Sequence, residues 1–172
     1  MSITALDVAN TFIARHPSLY LSNLSLNKLV YFAQMESLRQ TGKPLYDSEI
    51  QAQQYGSVVP EVYYAFHEWG NLIITSPAMQ VKNDSYMNQI VDAVADKYGF
   101  LTASDLVAYS HREKKSAWKN TYDGTRNKVI SIANILASDD VHNYPTRERT
   151  MAQGIEVMYN KYRNTFRILE DA

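Results

Sequence analysis

Cysteine is absent from the 172-residue sequence, and that absence removes disulfides, thiolate nucleophiles and cysteine metal sites together. A fold without such staples must be held by burial, and a chain of ~150 residues can bury roughly 70% of its unfolded surface. Glycine is scarce: there are 6, most of them where a helix stops or the chain turns. No G-x-S-x-G, G-x-x-x-x-G-K or G-x-G-x-x-G pattern occurs, so neither a nucleophile elbow nor a phosphate-cradling loop is expected. A basic surplus is lacking too, since 17 Lys and Arg face 18 Asp and Glu for a net charge of −1. Nucleic-acid binders ordinarily carry a basic stripe. The longest basic cluster here, 112–115 (REKK), contains a glutamate and reads as a solvated helix end. No apolar run approaches the ~20 residues that span a bilayer. The opening MSITALDVAN has no basic leader and carries Asp7 inside its apolar pattern. The expectation is a soluble, cytoplasmic protein with neither membrane nor nucleic acid as partner.

Catalytic and metal-binding constellations are missing as well. The four histidines, His16, His67, His111 and His142, include no i, i+4 pair and no recognised ligand pattern. No metal and no cofactor are expected. Asp139–Asp140 falls where a helix ends and reads as a solvated pair. The balance is against an enzyme.

What the sequence does have is helical periodicity and tyrosine. Residues 4–15 form a helical pattern, with Thr4 as cap, Asp7 at N3 and Ala5, Val8, Ala9, Phe12 and Ile13 as its stripe. The helix from about Leu24 to Thr41 is opened by Ser22 or Ser25 and closed by Gly42, with Pro44 just beyond. Leu26, Leu29, Val30 and Ala33 share one face, while Tyr31, Met35 and Leu38 lie nearly opposite. A helix apolar most of the way round is buried on several sides, which makes this the central helix. Further helical segments are 61–69, 85–98, 102–109, 129–137 and 147–169. The last has Met151, Ile155, Met158, Tyr162 and Leu169 as its stripe. Between 44 and 54 a short helix competes with a strand that pairs Glu49–Tyr55 with Val58–Val59. The fold class is all-α, or mainly α: about seven helices packed around the central one, with one small β-hairpin as the open alternative.

The 13 tyrosines have two readings. Tyrosine supplies apolar area and a hydroxyl at low entropic cost and is enriched in interfaces, yet most of these sit where helices need flanking core groups. Tyr55, beside a glycine, is the one that leans toward an interface. Gln34 falls on a buried position, where its amide either satisfies nearby backbone or faces a ligand. Trp118 reads as a core anchor, and His111 as either a lid on that core or part of a binding face.

Several motifs occur in order: K-L-x-Y-x-A-Q at 28–34, G-K-P-L-Y at 42–46 and Y-G-x-V-V-P-x-V-Y at 55–63. Ser110–His111 follows, and Trp118 seven residues later. Together they resemble the Panacea domain, the SocA-like antitoxin domain of bacteria and their phages, over roughly residues 4–120. Two departures fall near the turn: Ser57 stands where the family usually has proline, and Gln53 where it often has an aromatic. The resemblance implies a Panacea-like helical domain over 1–122; the helical pattern beyond it reads as a C-terminal extension, 123–172, packed back on that domain or supplying a partner surface. It also implies an antitoxin that neutralises a protein toxin from an adjacent gene, and it allows an adaptor that delivers a bound partner to an ATP-dependent protease. A third possibility, outside that class, is a small-molecule-binding or enzymatic pocket near His111. The residues carried over to a partner-binding face are Tyr31, Gln34, Tyr55, Gly56, Ser57, Val58, Pro60 and His111. Leu29, Phe66 and Trp118 are assigned to the scaffold.

Overall fold

The structure, a computed structural model, describes residues 2–112 and 115–142 together with Ile155. Apart from Ile155, the segment 147–169 where a last helix is expected therefore lies outside the described residues, as do Glu113 and Lys114.

The architecture is mainly α, built on α2 (Asn23–Thr41). Ser22 caps it reciprocally with Ser25, and Gly42 ends it at φ 70° with its N–H on Leu38 O. Leu26, Leu29, Val30, Phe32, Ala33 and Met35 are all essentially without solvent exposure, because neighbours enclose the helix on most sides. These are α1 (Ala5–Arg15), α3 (Pro60–Ala65), α4 (Ser85–Tyr98) and α5 (Ala103–Arg112). The Thr4–Asp7 capping box opens α1. In α4 the stripe Met87, Ile90, Val91, Val94 and Tyr98 is fully buried, as its 3.6-residue period requires.

Three short strands stand against this helical core: β1 (Gln51–Gln53), β2 (Gly56–Val58) and β3 (Lys128–Val129), in the order β2-β1-β3 and all antiparallel. Gln51 pairs with Val58 on one side and Val129 on the other. The β1–β2 hairpin is the strand alternative at 49–59, but β3 corrects the expectation that strand ends there. A two-residue strand has no period to read; it exists because the second edge of β1 needs backbone partners.

Other boundaries shift for similar reasons. Val129 belongs to β3 rather than to the helix read over 129–137, leaving α7 as Ile132–Leu136. The segment 61–69 divides into α3 and a single 3-10 turn at His67–Trp69. Asp140 is not a freely solvated carboxylate: it accepts from Tyr31 OH at 2.9 Å and from the Ala117 N–H at 2.9 Å. It thereby ties α6 (Ala117–Thr121) and the 3-10 turn at Asp139–Val141 to the central helix.

Candidate functional site

Lys28 points inward from the second turn of α2 and has no solvent exposure. Lysine is almost never buried in this way without a partner, and here the partners are carbonyls. Its Nζ donates to Tyr55 O at 2.7 Å and to Ser57 O at 2.9 Å. Burial pulls its pKa from 10.5 down to about 7, since low dielectric disfavours the ammonium. The two carbonyls flank Gly56, whose φ of 104° is open to glycine and strained for other residues. A Cβ at Gly56 would lie 2.5 Å from Lys28 Nζ, 2.9 Å from Ser110 Oγ and 3.2 Å from His111 Nε2. The β1–β2 turn is thus pressed onto a lysine, a serine and a histidine that only glycine admits.

Asn27 and Asn23 extend the clamp along the same helix. Asn27 Oδ1 accepts from the Val59 N–H at 3.0 Å, while Asn23 Nδ2 donates to Tyr63 O at 3.0 Å. The outer edge of β2 is consequently held by α2 side chains, and the start of α3 is held with it.

On the other side, an aromatic stack supports the turn. His111 lies on Trp118 with ring centroids 4.0 Å apart, and Trp118 lies on Tyr122 at 5.1 Å. Trp118 Nε1 donates to Gln53 O at 2.6 Å, fixing β1. The His111 pKa is lowered by burial and by the nearby charges of Lys28 and Lys119. Its Nε2 is buried and makes no hydrogen bond.

The residues singled out from the sequence occupy different depths. Tyr55 is 64% exposed at the tip of the turn. Gly56 and Ser57 are buried beneath it, Val58 and Pro60 are half-buried, and His111 is half-buried against Gly56. Tyr31 and Gln34 lie in the interior. The Gln34 amide donates to Tyr46 O at 2.8 Å and accepts from Leu45 N at 2.7 Å and Tyr46 N at 3.2 Å, so both ends are spent on the chain. Tyr31 gives its hydroxyl to Asp140, and burial next to that carboxylate raises its pKa well above the usual phenol value. Leu29 and Phe66 are in the core, whereas Trp118 is half-buried and packs against it. Sequence reasoning missed Lys28, Asn27 and Asn23 as organisers of the turn. The available signal was the Asn27–Lys28 pair set directly before the apolar run 29–33 of the central helix.

Beside Tyr55 lies an open cleft of about 930 Å³. Tyr63, Tyr64 and His67 line it together, with Tyr63 stacked on His67 at 5.9 Å and edge-on to Tyr64 at 5.4 Å. Tyr122, Arg126 and Asn127 line it as well. Among the described residues, no group of three His, Asp or Glu side chains could hold a metal ion, and no helix is long and apolar enough to cross a membrane. What this arrangement offers chemically is display: a rigid turn with an exposed aromatic tip, beside a cleft.

Residues 26–119, which contain the turn, the buried lysine and the His111–Trp118 stack, match the family model described as antitoxin SocA-like, Panacea domain. The chain is also similar to a protein named antitoxin SocA from Caulobacter vibrioides (strain NA1000 / CB15N). The two are 33% identical over 124 residues, which is 64% of this chain and 66% of that protein. No solved structure gives a significant match. Because the family model covers more than half of the 172 residues, the protein belongs to the SocA-like antitoxin family with a Panacea domain.

Proposed function

We propose that the protein is an antitoxin which neutralises the toxin encoded by a neighbouring gene through direct, stoichiometric binding, without a catalytic step. Membership of the SocA-like antitoxin family carries this reading. The turn supports it: Tyr55 is presented to solvent by a backbone that Lys28 and Asn27 lock from below. Functional residues sit on loops held by a rigid scaffold, and a pre-ordered loop loses little entropy on binding. The recognition face is centred on Tyr55, with Val58 and Pro60 beside it. Tyr31 and Gln34 act from the interior by holding the scaffold, and His111 acts by supporting Gly56 from behind.

Co-expression with the neighbouring gene's product and titration of the purified pair test this. Tyr55→Ala should leave the melting temperature near wild type, because surface truncations usually change stability by less than about 0.5 kcal/mol. It should nevertheless weaken binding by ~2 kcal/mol, the scale of an interface hot spot. Unchanged affinity would place the recognition face elsewhere. Neutralisation at far less than one antitoxin per toxin would replace a blocking mechanism by a recycling adaptor that hands the toxin to a protease.

A further inference from the structure

Four tyrosines are strongly exposed among the described residues, and three of them, Tyr55, Tyr63 and Tyr64, line the same cleft. Clustered exposed aromatic surface marks an interaction site more reliably than single exposed rings. The rest of the lining is unusual in two respects. It contains seven side-chain amides, five of them outside the clamp on which Asn23 and Asn27 are already spent, and among the described residues its formal charge comes from Arg126 alone, with no carboxylate.

Those features select the ligand. Tyr55 and Tyr64, at 64% and 72% exposure, stand on the rim rather than closing over an interior. A small molecule is normally buried over 70–90% of its surface, whereas a chain passing through leaves such rims open. Side-chain amides match the unpaired N–H and C=O groups of an extended peptide; a helix has already spent those groups internally. Addition of a strand to β2 is excluded by the clamp, since Lys28 and Asn27 already occupy that edge. On that side a bound chain is therefore held by side chains and lies across the cleft. With Arg126 as the charge in the lining, cationic side chains are disfavoured and one carboxylate is accommodated.

We propose that this cleft binds an extended, neutral-to-acidic segment of the protein partner, its side chains gripped by the tyrosine rings and its main chain by the amides. The inference rests on the antitoxin reading above and adds the chemistry of what is recognised.

The test uses the full chain and two probes: the whole product of the neighbouring gene, and overlapping peptides of about 15 residues covering it, long enough for an extended docking motif. One contiguous stretch of peptides should bind and should displace the whole product. Tyr64→Ala and Arg126→Glu should each weaken both probes by about tenfold or more, the scale of an anchoring residue. Arg126→Lys and Tyr64→Phe should retain most of the affinity, and all four variants should melt near wild type. If the whole product binds but the four variants are indistinguishable from wild type, the cleft is not the site and the antitoxin reading stands. If the cleft variants weaken the whole product but no peptide binds, a folded surface is recognised and the extended segment is overturned. If the product does not bind at all, both readings fall together.

Discussion

Lys28 is held near a pKa of 7 in the folded protein, against 10.5 for an ordinary lysine, and this depression has a definite sign. Between those two values the unfolded chain carries a proton that the folded chain does not, so stability rises with pH across that window. Below about 7 both states are charged and the burial penalty is present in full. A neutral amine keeps two N–H donors, enough for the carbonyls of Tyr55 and Ser57. In Lys28→Met those carbonyls lose their donor and the titration disappears. Denaturant midpoints measured from pH 6 to 10 should therefore climb relative to this variant as pH rises, and parallel curves would contradict the assignment. Ser57 poses the opposite case. Its hydroxyl is buried without a partner, and an unmade hydrogen bond in the interior costs about 1–3 kcal/mol. Ser57→Ala should leave stability unchanged or raise it by up to ~1 kcal/mol in a thermal melt, because no bond is lost.

At the scale of elements, the central helix is both core and scaffold for the polar contacts that position everything else. Glu36 is 1% exposed and accepts from Lys97 at 2.6 Å, Gln40 at 2.7 Å and Arg39 at 2.5 Å. Burial alone would push its carboxyl up, but those hydrogen bonds and charges hold it below the usual value. Arg39 continues the network to Val141 O at 2.6 Å and Asp140 O at 3.0 Å. Asp140 then joins Tyr31 to the N-terminus of α6. Asp140→Ala strands a buried tyrosine hydroxyl and a backbone N–H, so it should destabilise by ~2 kcal/mol or more. Tyr31→Phe removes the donor instead and should cost less. A double-mutant cycle over the two should show coupling, since contacting residues are not additive; additive effects would mean that the hydrogen bond contributes nothing. Trp118 links elements in the same way, through its stack on His111 and its bond to Gln53. Its truncation should therefore disturb the sheet as well as the packing.

For the whole molecule, a net charge of −1 and a cleft with a single lining arginine predict that the proposed association depends little on long-range electrostatics. Partner affinity should change by no more than roughly threefold between 50 and 200 mM salt. Nucleic-acid binding through several phosphates would lose ~10³-fold or more over that range. Titration at the two salt concentrations separates these cases directly.

The order and type of the main helices were legible in the sequence, because caps and a 3.6-residue period are local. Thr4 with Asp7, Ser22 with Ser25 and the α4 stripe each announce themselves within a few residues. The β1–β2 hairpin was legible only as one of two alternatives, since a short strand carries little period and the Gly56–Ser57 step is a weak turn signal. Three features required the tertiary structure, each because it depends on residues far apart in the chain. β3 forms only where β1 presents a second edge, more than seventy residues upstream. Asp140 looks like a solvated helix-end carboxylate until Tyr31 and Ala117 arrive beside it. Lys28 looks like an ordinary helix lysine until the Tyr55 and Ser57 carbonyls close over it. The sequence by itself determined a cysteine-free helical core and a glycine turn worth watching. Only the packing decided that a buried lysine pins that turn and that three exposed tyrosines line one cleft beside it, because burial and convergence are properties of distant residues brought together.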